Sequence, residues 1–362
     1  MSPTSPGSGP SSPADPARFR TYPRLSRLWK QSTRRLGLDA TTRAELAAWR
    51  RRLRRHLRRL TGYDRLAPAP LAPRLTEEVA CDGYRRQRVE IQVEPGLFMP
   101  LYVLIPAGSA GPWPPVMALH GHGSGGKYAV AGRRDLPDLD ETIRIHNYDY
   151  GVQLVREGFI VFCPDARGFG ERQEARVEGG LLVSSCLAIN QMALPLGRTV
   201  TGMWAWDVHR LVDYILTRGD CRAAPLGCMG LSGGGLQTLW AAALDDRIGY
   251  SVVSGYFYGY REALFDVYVH CSCNYVPGLF EAIDMGDLGA LIAPRPLCIE
   301  TGARDPLNGA GGLKNVRSQV RIARQAYRML GASRALTHAV FDGPHRWDGT
   351  EAIPWMKRAA GL

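Results

Sequence analysis

The chain has 362 residues, 45% of them hydrophobic and 22% charged, which is typical of a soluble globular protein that buries a large core. No stretch approaches the roughly 18 apolar residues of a membrane-spanning helix, which excludes an integral membrane protein of that kind. The net charge of +11 is concentrated in residues 17–65, which hold fifteen arginines and one lysine against three acidic residues.

The basic N-terminal part contains the first predicted elements. Residues 1–17 are rich in proline and serine and are predicted to be disordered. A helix is predicted over residues 42–60, because Thr42 and Glu45 fit a capping box and apolar residues recur every three or four positions. Gly62 is suited to end this helix, and residues 67–74 (APAPLAPR) are interpreted as a linker.

The arginines of the 42–60 helix allow two interpretations. They form either the solvated faces of a helix packed on the main domain, or a surface that attracts nucleic acid, anionic membrane or an acidic partner. An apolar stripe favours a helix that is part of the fold, and it consists of Leu46, Trp49, Leu53, Leu57 and Leu60. Nucleic-acid binding is therefore the less favoured interpretation.

From Glu77 onward the pattern predicts strands that alternate with helices. RVEIQVEPG and the following LFMPLYVLIP predict a hairpin-like pair. Further strands are predicted in PPVMALHGHGSGG, FIVFCPDARGFGE, LGCMGLS, YSVVSG, RPLCIETG and LTHAVFDG. Helices are predicted between or after them, at residues 150–157, 204–217, 236–244, 316–330 and 352–360. This order indicates an α/β fold with a mostly parallel central sheet flanked by helices.

A candidate nucleophile, Ser232, lies in the sequence Gly-Leu-Ser-Gly-Gly between a predicted strand and a predicted helix. A strained turn at this point would hold the serine hydroxyl above the sheet, and Gly230 and Gly234 remove side chains that would clash in the turn. The helix that follows would offer backbone N–H groups to a developing oxyanion. The motif alone is weak, and its strand–turn–helix context strengthens it.

A serine hydroxyl needs a base and an orienting carboxylate to act as a nucleophile. Asp305 follows the strand in RPLCIETG, and His345 follows the strand in LTHAVFDG, so both are expected at carboxyl ends of strands. Glu300 is the nearest rival to the aspartate. The rivals to the histidine are His146, His209, His270 and His338. An oxyanion hole is expected from the backbone N–H groups of His122, in LHGHGSGG, and of Gly233.

The eight cysteines show no CxxC pair and no zinc-like spacing, and Cys271 and Cys273 are the only two that are close in the sequence. No metal and no organic cofactor is therefore expected. We expect reduced, mostly buried thiols in a cytoplasmic protein, in line with the lack of an apolar signal region in residues 1–17.

Other polar and aromatic groups have no predicted catalytic role. Asp165, Arg167 and Glu171 are interpreted as a structural network after a strand, and Asp207 and Arg210 as a similar one. An aromatic set either lines a substrate pocket or belongs to the core, and it consists of Tyr256, Phe257, Tyr258, Tyr260 and Tyr275.

At these motifs the chain resembles a known family, the dienelactone hydrolase and acetyl xylan esterase-like branch of the α/β-hydrolases. The resemblance covers residues 43–362 and is carried by LHGHG, PDARGFGER, GLSGGGLQTLWAAALDDRI, CNYVPG, DMGDLGALIAPRPLCIETGARDP and GPHRW. It implies a serine esterase with Ser232 as nucleophile, His345 as general base and Asp305 orienting it. Dienelactone hydrolases proper use cysteine as the nucleophile, and acetyl xylan esterases often have glutamine where this chain has Gly233.

These interpretations predict an α/β-hydrolase fold with an N-terminal helical extension. The parts are a tail (1–17), an Arg-rich helical extension with linker (18–75) and a catalytic domain (76–362). The expected reaction is hydrolysis of a carboxylic ester through an acyl-enzyme, on a small acyl group of a carbohydrate or a secondary metabolite. The alternatives are an acyltransferase, thioesterase or peptidase with the same site, and a non-catalytic protein that binds through the basic helix. No oligomeric state is predicted.

Overall fold

The computed structural model of the protein describes residues 19–362, apart from residues 33, 109, 176, 178, 223, 224, 268 and 269. The predicted tail, residues 1–17, lies outside the described residues. One sheet contains the strands β1 (Arg74–Cys81), β2 (Tyr84–Glu94), β3 (Leu97–Pro106), β4 (Pro115–Leu119), β5 (Ile160–Pro164), β6 (Leu226–Leu231), β7 (Ile248–Ser254), β8 (Leu297–Gly302) and β9 (Leu336–Phe341).

The strand order in the sheet is β1-β2-β3-β5-β4-β6-β7-β8-β9. Strands β1, β2, β3 and β5 pair antiparallel in that order, and every pairing from β5 and β4 through β9 is parallel. The predicted hairpin is confirmed as the pair β2 and β3, and the mostly parallel sheet is confirmed as well. Strand β1 was not predicted, because its exposed, polar residues lack the apolar alternation that indicates a strand.

The helices are α1 (Thr21–Ser32), α2 (Arg43–Leu60), α3 (Lys127–Val130), α4 (Leu139–His146), α5 (Tyr150–Arg156), α6 (Cys186–Ala193), α7 (Val200–Ile215), α8 (Gly233–Leu244), α9 (Leu279–Ala282), α10 (Met285–Ile292), α11 (Leu313–Met329) and α12 (Ala352–Ala360). The five helices predicted between and after the strands are confirmed as α5, α7, α8, α11 and α12, with ends that differ by a few residues.

The sheet is covered on both faces, because alternate residues of its central strands belong to two different apolar clusters. Met117 and Leu119 of β4 pack with residues of α2, α7, α8, α10 and α11. Val116 and Ala118 pack with residues of α3, α4, α5 and α12. A strand that is buried on both faces places every side chain in an apolar environment, so its sequence is a continuous apolar run and does not alternate with polar residues.

Helix α2 confirms the prediction for residues 42–60. Thr42 accepts a hydrogen bond from the backbone N–H of Glu45, and the Glu45 carboxylate accepts one from the backbone N–H of Thr42, so the capping box is present. Gly62 has a φ of 73° just beyond the helix end, a conformation that favours glycine. Trp49 and Leu57 are buried in the same cluster as residues of the central sheet.

No helix among the described residues is both long enough and apolar enough to cross a membrane.

Candidate active site

Ser232 occupies the turn between β6 and α8. Its φ of 59° and ψ of −116° lie in a backbone region that residues other than glycine rarely adopt. The turn is held by two backbone hydrogen bonds, from Ser232 N–H to Ser254 O at 2.9 Å and from Leu236 N–H to Ser232 O at 2.9 Å. A Cβ on Gly234 would clash with the Leu119 carbonyl oxygen of the neighbouring strand, so the sequence needs glycine there.

Asp305 and His345 are hydrogen-bonded to each other. The distance between His345 Nδ1 and Asp305 Oδ2 is 2.6 Å, and the Asp305 side chain is almost fully buried. The other carboxylate oxygen of Asp305 accepts a hydrogen bond from the backbone N–H of Leu307 at 2.9 Å, which fixes the carboxylate in the loop after β8. An aspartate held in this way can orient the imidazole and stabilise its protonated form.

The imidazole of His345 also lies beside the turn that carries Ser232. A Cβ built on Gly255 would lie 3.0 Å from His345 Cε1 and 3.0 Å from a methyl group of Leu231, the residue before Ser232. The carbonyl oxygen of His345 is 3.0 Å from Nδ1 of His146. The structure therefore brings the three predicted residues Ser232, His345 and Asp305 to one edge of the sheet.

His122 and Gly233 lie next to each other across the turn. A Cβ built on Gly233 would lie 2.8 Å from His122 Nδ1, so the His122 ring rests against the Gly233 backbone. The Tyr148 hydroxyl donates a hydrogen bond to the His122 carbonyl oxygen at 2.7 Å and holds the loop after β4. Gly233 is the first residue of α8, where backbone N–H groups have no partner within the helix.

A cavity of about 360 Å³ opens at this edge of the sheet. It is lined by His122, Ser232, Gly233, Tyr256, Tyr258, His270, Cys271, Asn274 and Leu307. Four members of the aromatic set are buried in the core, and two of these, Tyr256 and Tyr258, also line the cavity. Tyr275 is partly buried against the same core. Sequence reasoning missed Asn274, whose side-chain oxygen accepts a hydrogen bond from the Tyr256 hydroxyl at 2.7 Å.

The rival carboxylate, Glu300, has a different set of contacts from Asp305. It is buried in β8 and accepts hydrogen bonds from the Ser254 hydroxyl at 2.7 Å and from the Gly349 backbone N–H at 2.9 Å. Burial raises the pKa of Glu300 to about 7. Its contacts brace the chain just after His345 and do not include the imidazole of that residue.

The rival histidines also have other partners. His209 is buried between the Tyr63 hydroxyl at 2.7 Å and the Ala241 carbonyl oxygen at 3.0 Å. His338 lies within β9, 3.2 Å from the Thr301 hydroxyl, and burial lowers its pKa to about 4. Burial likewise lowers the pKa of His270, which lines the cavity, to about 4.

The polar network predicted after β5 is present in part: Asp165 and Glu171 share a lysine that sequence reasoning missed, whereas Arg167 pairs with Asp207. Arg210, which was predicted to act with Asp207, bonds to Asp213 instead. Lys127 is fully buried and donates to Asp165 at 2.6 Å and to Glu171 at 2.5 Å. Nearby, the Asp207 carboxylate accepts hydrogen bonds from Arg167 and Arg172. Each buried charge of these two groups thus has an opposite charge beside it, which is what burial of ions requires.

One group of described residues has the composition of a metal site. His122, Cys186, Cys271 and Cys273 each place a ligand atom within 4.8 Å of the others. All eight cysteines of the chain are free thiols in the structure. Cys271 lines the cavity beside Ser232, while Cys186 and Cys273 are buried. Sequence spacing does not reveal this group, because its members come from three separate segments.

Comparisons with known proteins agree with this architecture. A protein from Bacillus subtilis (strain 168) named "Putative hydrolase YtaP" is 29% identical over 223 residues, which are 61% of this chain and 70% of that protein. The solved structure of a "putative acetyl xylan esterase" from Bacteroides fragilis NCTC 9343 superposes with a TM-score of 0.77 at 18% identity, over 94% of this chain and 95% of the other.

A glucuronoyl esterase from Solibacter usitatus superposes with a TM-score of 0.62 at 17% identity, over 91% of this chain and 96% of the other. At these identities the structural likeness establishes the α/β-hydrolase fold. The model of the Abhydrolase family matches residues 28–257, which is more than half of the chain and includes the Ser232 turn. Because the family model matches more than half of the chain and the sheet order agrees with the fold, the chain belongs to the Abhydrolase family of α/β-hydrolases.

Proposed function

We propose that the protein is a serine carboxylic-ester hydrolase that acts through an acyl-enzyme. The observation that carries this proposal is the 2.6 Å hydrogen bond between Asp305 and His345, beside a serine held at a positive φ. In this proposal Ser232 is the nucleophile, His345 the general base and Asp305 the residue that orients the imidazole.

The reaction proceeds in two halves. His345 Nε2 takes the proton of the Ser232 hydroxyl as its oxygen bonds to the ester carbonyl carbon, and the backbone N–H groups of His122 and Gly233 stabilise the oxyanion. The intermediate collapses, the carbon–oxygen bond to the alcohol breaks, and His345 gives the alcohol its proton. A water molecule then attacks the acyl-serine with His345 as base, which releases the carboxylic acid and restores the serine.

The proposed substrate class is a small acyl ester of a carbohydrate or a secondary metabolite. The cavity of about 360 Å³ lies at the small end of the range for ligand sites, which fits a short acyl group better than a long chain. The carbohydrate part of the proposal is supported by the names of the fold neighbours, a "putative acetyl xylan esterase" and a glucuronoyl esterase.

Covalent labelling with a fluorophosphonate tests the proposed nucleophile without knowledge of the substrate. The serine oxygen displaces fluoride from phosphorus, so an activated serine acquires a stable label. We expect the label on Ser232, no label in Ser232→Ala, and weak labelling in His345→Ala. Ser318→Ala serves as a control, since Ser318 lies on α11 and does not line the cavity. An unlabelled folded wild-type protein, or a label on another residue, would contradict the proposal.

The same site could pass its acyl group to an acceptor other than water, or accept thioesters and amides. Hydrolysis of an aryl acetate in the presence of added alcohols and amines separates transfer from hydrolysis by the products formed. We expect acetate as the main product. Thioester and anilide analogues with the same acetyl group, compared by kcat/KM, distinguish an esterase from a thioesterase or peptidase.

A further inference from the structure

Four side chains next to the proposed oxyanion loop come from three segments of the chain. His122 lies after β4, Cys186 is the first residue of α6, and Cys271 and Cys273 lie in the segment before α9. One ligand atom of each lies within 4.8 Å of the others, and the distance between His122 Nε2 and Cys273 Sγ is 3.7 Å. The sequence-based expectation of no metal did not take this convergence into account.

The distance between His122 Nε2 and Cys273 Sγ equals an edge of a tetrahedral zinc site, and the 4.8 Å limit places the other donors about 1 Å or less from that geometry. Zinc binds thiolate sulfur at about 2.3 Å and imidazole nitrogen at about 2.0–2.1 Å, which places neighbouring donors about 3.6–3.8 Å apart. Three cysteines and one histidine are one of the common ligand sets of structural zinc. A disulfide alone would use two of the sulfur atoms and would give no reason for the third cysteine and the histidine to converge.

We propose that His122, Cys186, Cys271 and Cys273 form a zinc site that joins the loop after β4 to α6 and to the segment before α9. The site adds a metal centre to the proposed esterase and does not take part in the bond-breaking steps. Zinc binding displaces the thiol protons as the zinc–sulfur bonds form.

The surroundings of the four side chains support the proposal, because outer hydrogen bonds orient the ligands of a metal. The Asn274 side-chain amide donates to Cys273 Sγ at 3.6 Å, and the Thr201 hydroxyl donates to the Cys273 carbonyl oxygen at 2.6 Å. Between the two cysteines, Ser272 accepts a hydrogen bond at its carbonyl oxygen from the Asn190 side chain of α6 at 3.0 Å.

The His122 ring is also fixed by its apolar neighbours. Its centroid lies 5.1 Å from that of Phe169 and 6.3 Å from that of Trp204. With zinc on Nε2, the proton of the neutral imidazole must reside on Nδ1, the nitrogen that faces Gly233. The metal would thereby fix the loop that carries the proposed oxyanion donor.

Cobalt titration of the full-length protein tests the site. The purified chain is reduced, stripped with a chelator and titrated with Co²⁺, whose thiolate charge-transfer and tetrahedral d–d absorption bands report the ligand set. We expect one equivalent of Co²⁺ to give both bands and Zn²⁺ to displace it. Cys271→Ser should weaken binding at least tenfold, whereas Cys221→Ser, which alters a half-buried cysteine outside the group, should leave it unchanged.

Thermal unfolding gives a second readout that also guards against misfolded variants. A ligand that binds the folded state raises the Tm, so at one fixed concentration Zn²⁺ should raise it equally for the wild type and for Cys221→Ser, and less for Cys271→Ser. Absent bands in the wild type, an unchanged Co²⁺ affinity in Cys271→Ser, or a disulfide among the three cysteines in the protein as isolated would overturn the proposal. None of these results depends on Ser232, so a failure here is distinct from a failure of fluorophosphonate labelling.

Discussion

The carboxyl edge of the sheet and helix α2 both hold unusual sets of polar residues. Those at the sheet edge lie at a cavity, whereas two arginines of α2 bond to the ends of other helices. At the sheet edge, Ser232 lines a cavity and the Asp305–His345 pair stands beside it. On α2, the guanidinium group of Arg54 donates to the carbonyl oxygens of Ala243 and Leu291, near the ends of α8 and α10. Arg50 also donates to Leu291.

The difference shows that charge density by itself does not indicate a binding surface. Carbonyl groups in the last turn of a helix have no partner in the helix, and arginines of α2 supply partners for them. Arg54 also pairs with Asp246, just past α8, so α2 is tied to the helix that begins at the proposed nucleophile. Four further arginines of α2 are exposed and fit the solvated face that the sequence favoured: Arg51, Arg52, Arg55 and Arg59.

The largest expected effect lies at the sheet edge. In Asp305→Asn the amide cannot hold the imidazole in the required tautomer, so we expect kcat for an aryl acetate to fall by about 10³–10⁴-fold. Asp342→Asn removes the same charge from an exposed site after β9 and should leave kcat unchanged. A fall of less than tenfold in Asp305→Asn, with the protein folded, would remove the aspartate from the proposed mechanism.

The next effect tests whether α2 belongs to the same folding unit as the sheet. Trp49 is 1% exposed, and its indole N–H donates to the Leu36 carbonyl oxygen at 2.9 Å. Trp49→Ala should lower the free energy of unfolding by about 3–5 kcal/mol in one cooperative transition. Urea unfolding measures this, with the exposed Arg51→Ala as control. A separate early transition for α2 would show that the two regions unfold independently.

A pH effect on stability is expected from Glu300 at the sheet edge. Its pKa is about 7 in the folded protein and 4.5 as its ordinary value, so the unfolded chain releases this proton at lower pH. The free energy of unfolding should therefore decrease as the pH rises from 4.5 to 7, by up to about 3 kcal/mol from this group.

Urea unfolding of the wild type and Glu300→Gln across this pH range measures the contribution of Glu300. The variant should have the flatter profile, whereas exposed Glu77→Gln should follow the wild type. Equal slopes for the wild type and Glu300→Gln would show that folding does not raise the pKa of the Glu300 carboxyl group.

The smallest expected effect is the difference between substitutions of two neighbouring arginines on α2. Arg54→Ala leaves carbonyl groups of α8 and α10 without their donor, so we expect a loss of about 1–3 kcal/mol in the free energy of unfolding. Arg55→Ala removes an exposed side chain and should change it by less than about 0.5 kcal/mol. Equal effects would mean that the contacts of Arg54 add nothing to stability.

Much of the fold and of the candidate site could be predicted because its signals are local. The capping box at Thr42, the apolar stripe of α2 and the glycines around Ser232 depend on neighbours within a few residues. The positions of Asp305 and His345 followed from the fact that parallel strands present their carboxyl ends at one edge. Short helices such as α6 and α10 were missed, since their pattern does not stand out from other apolar segments.

The sequence by itself determined the order of strands and helices, the turn at Ser232 and the order of serine, aspartate and histidine. Only the tertiary structure decided which distant groups meet: Asp305 with His345, Arg54 with the helix ends, and His122 with Cys186, Cys271 and Cys273. The reason is physical. Local patterns fix backbone conformation over a few residues, whereas contacts between remote segments depend on how the whole sheet brings its loops together.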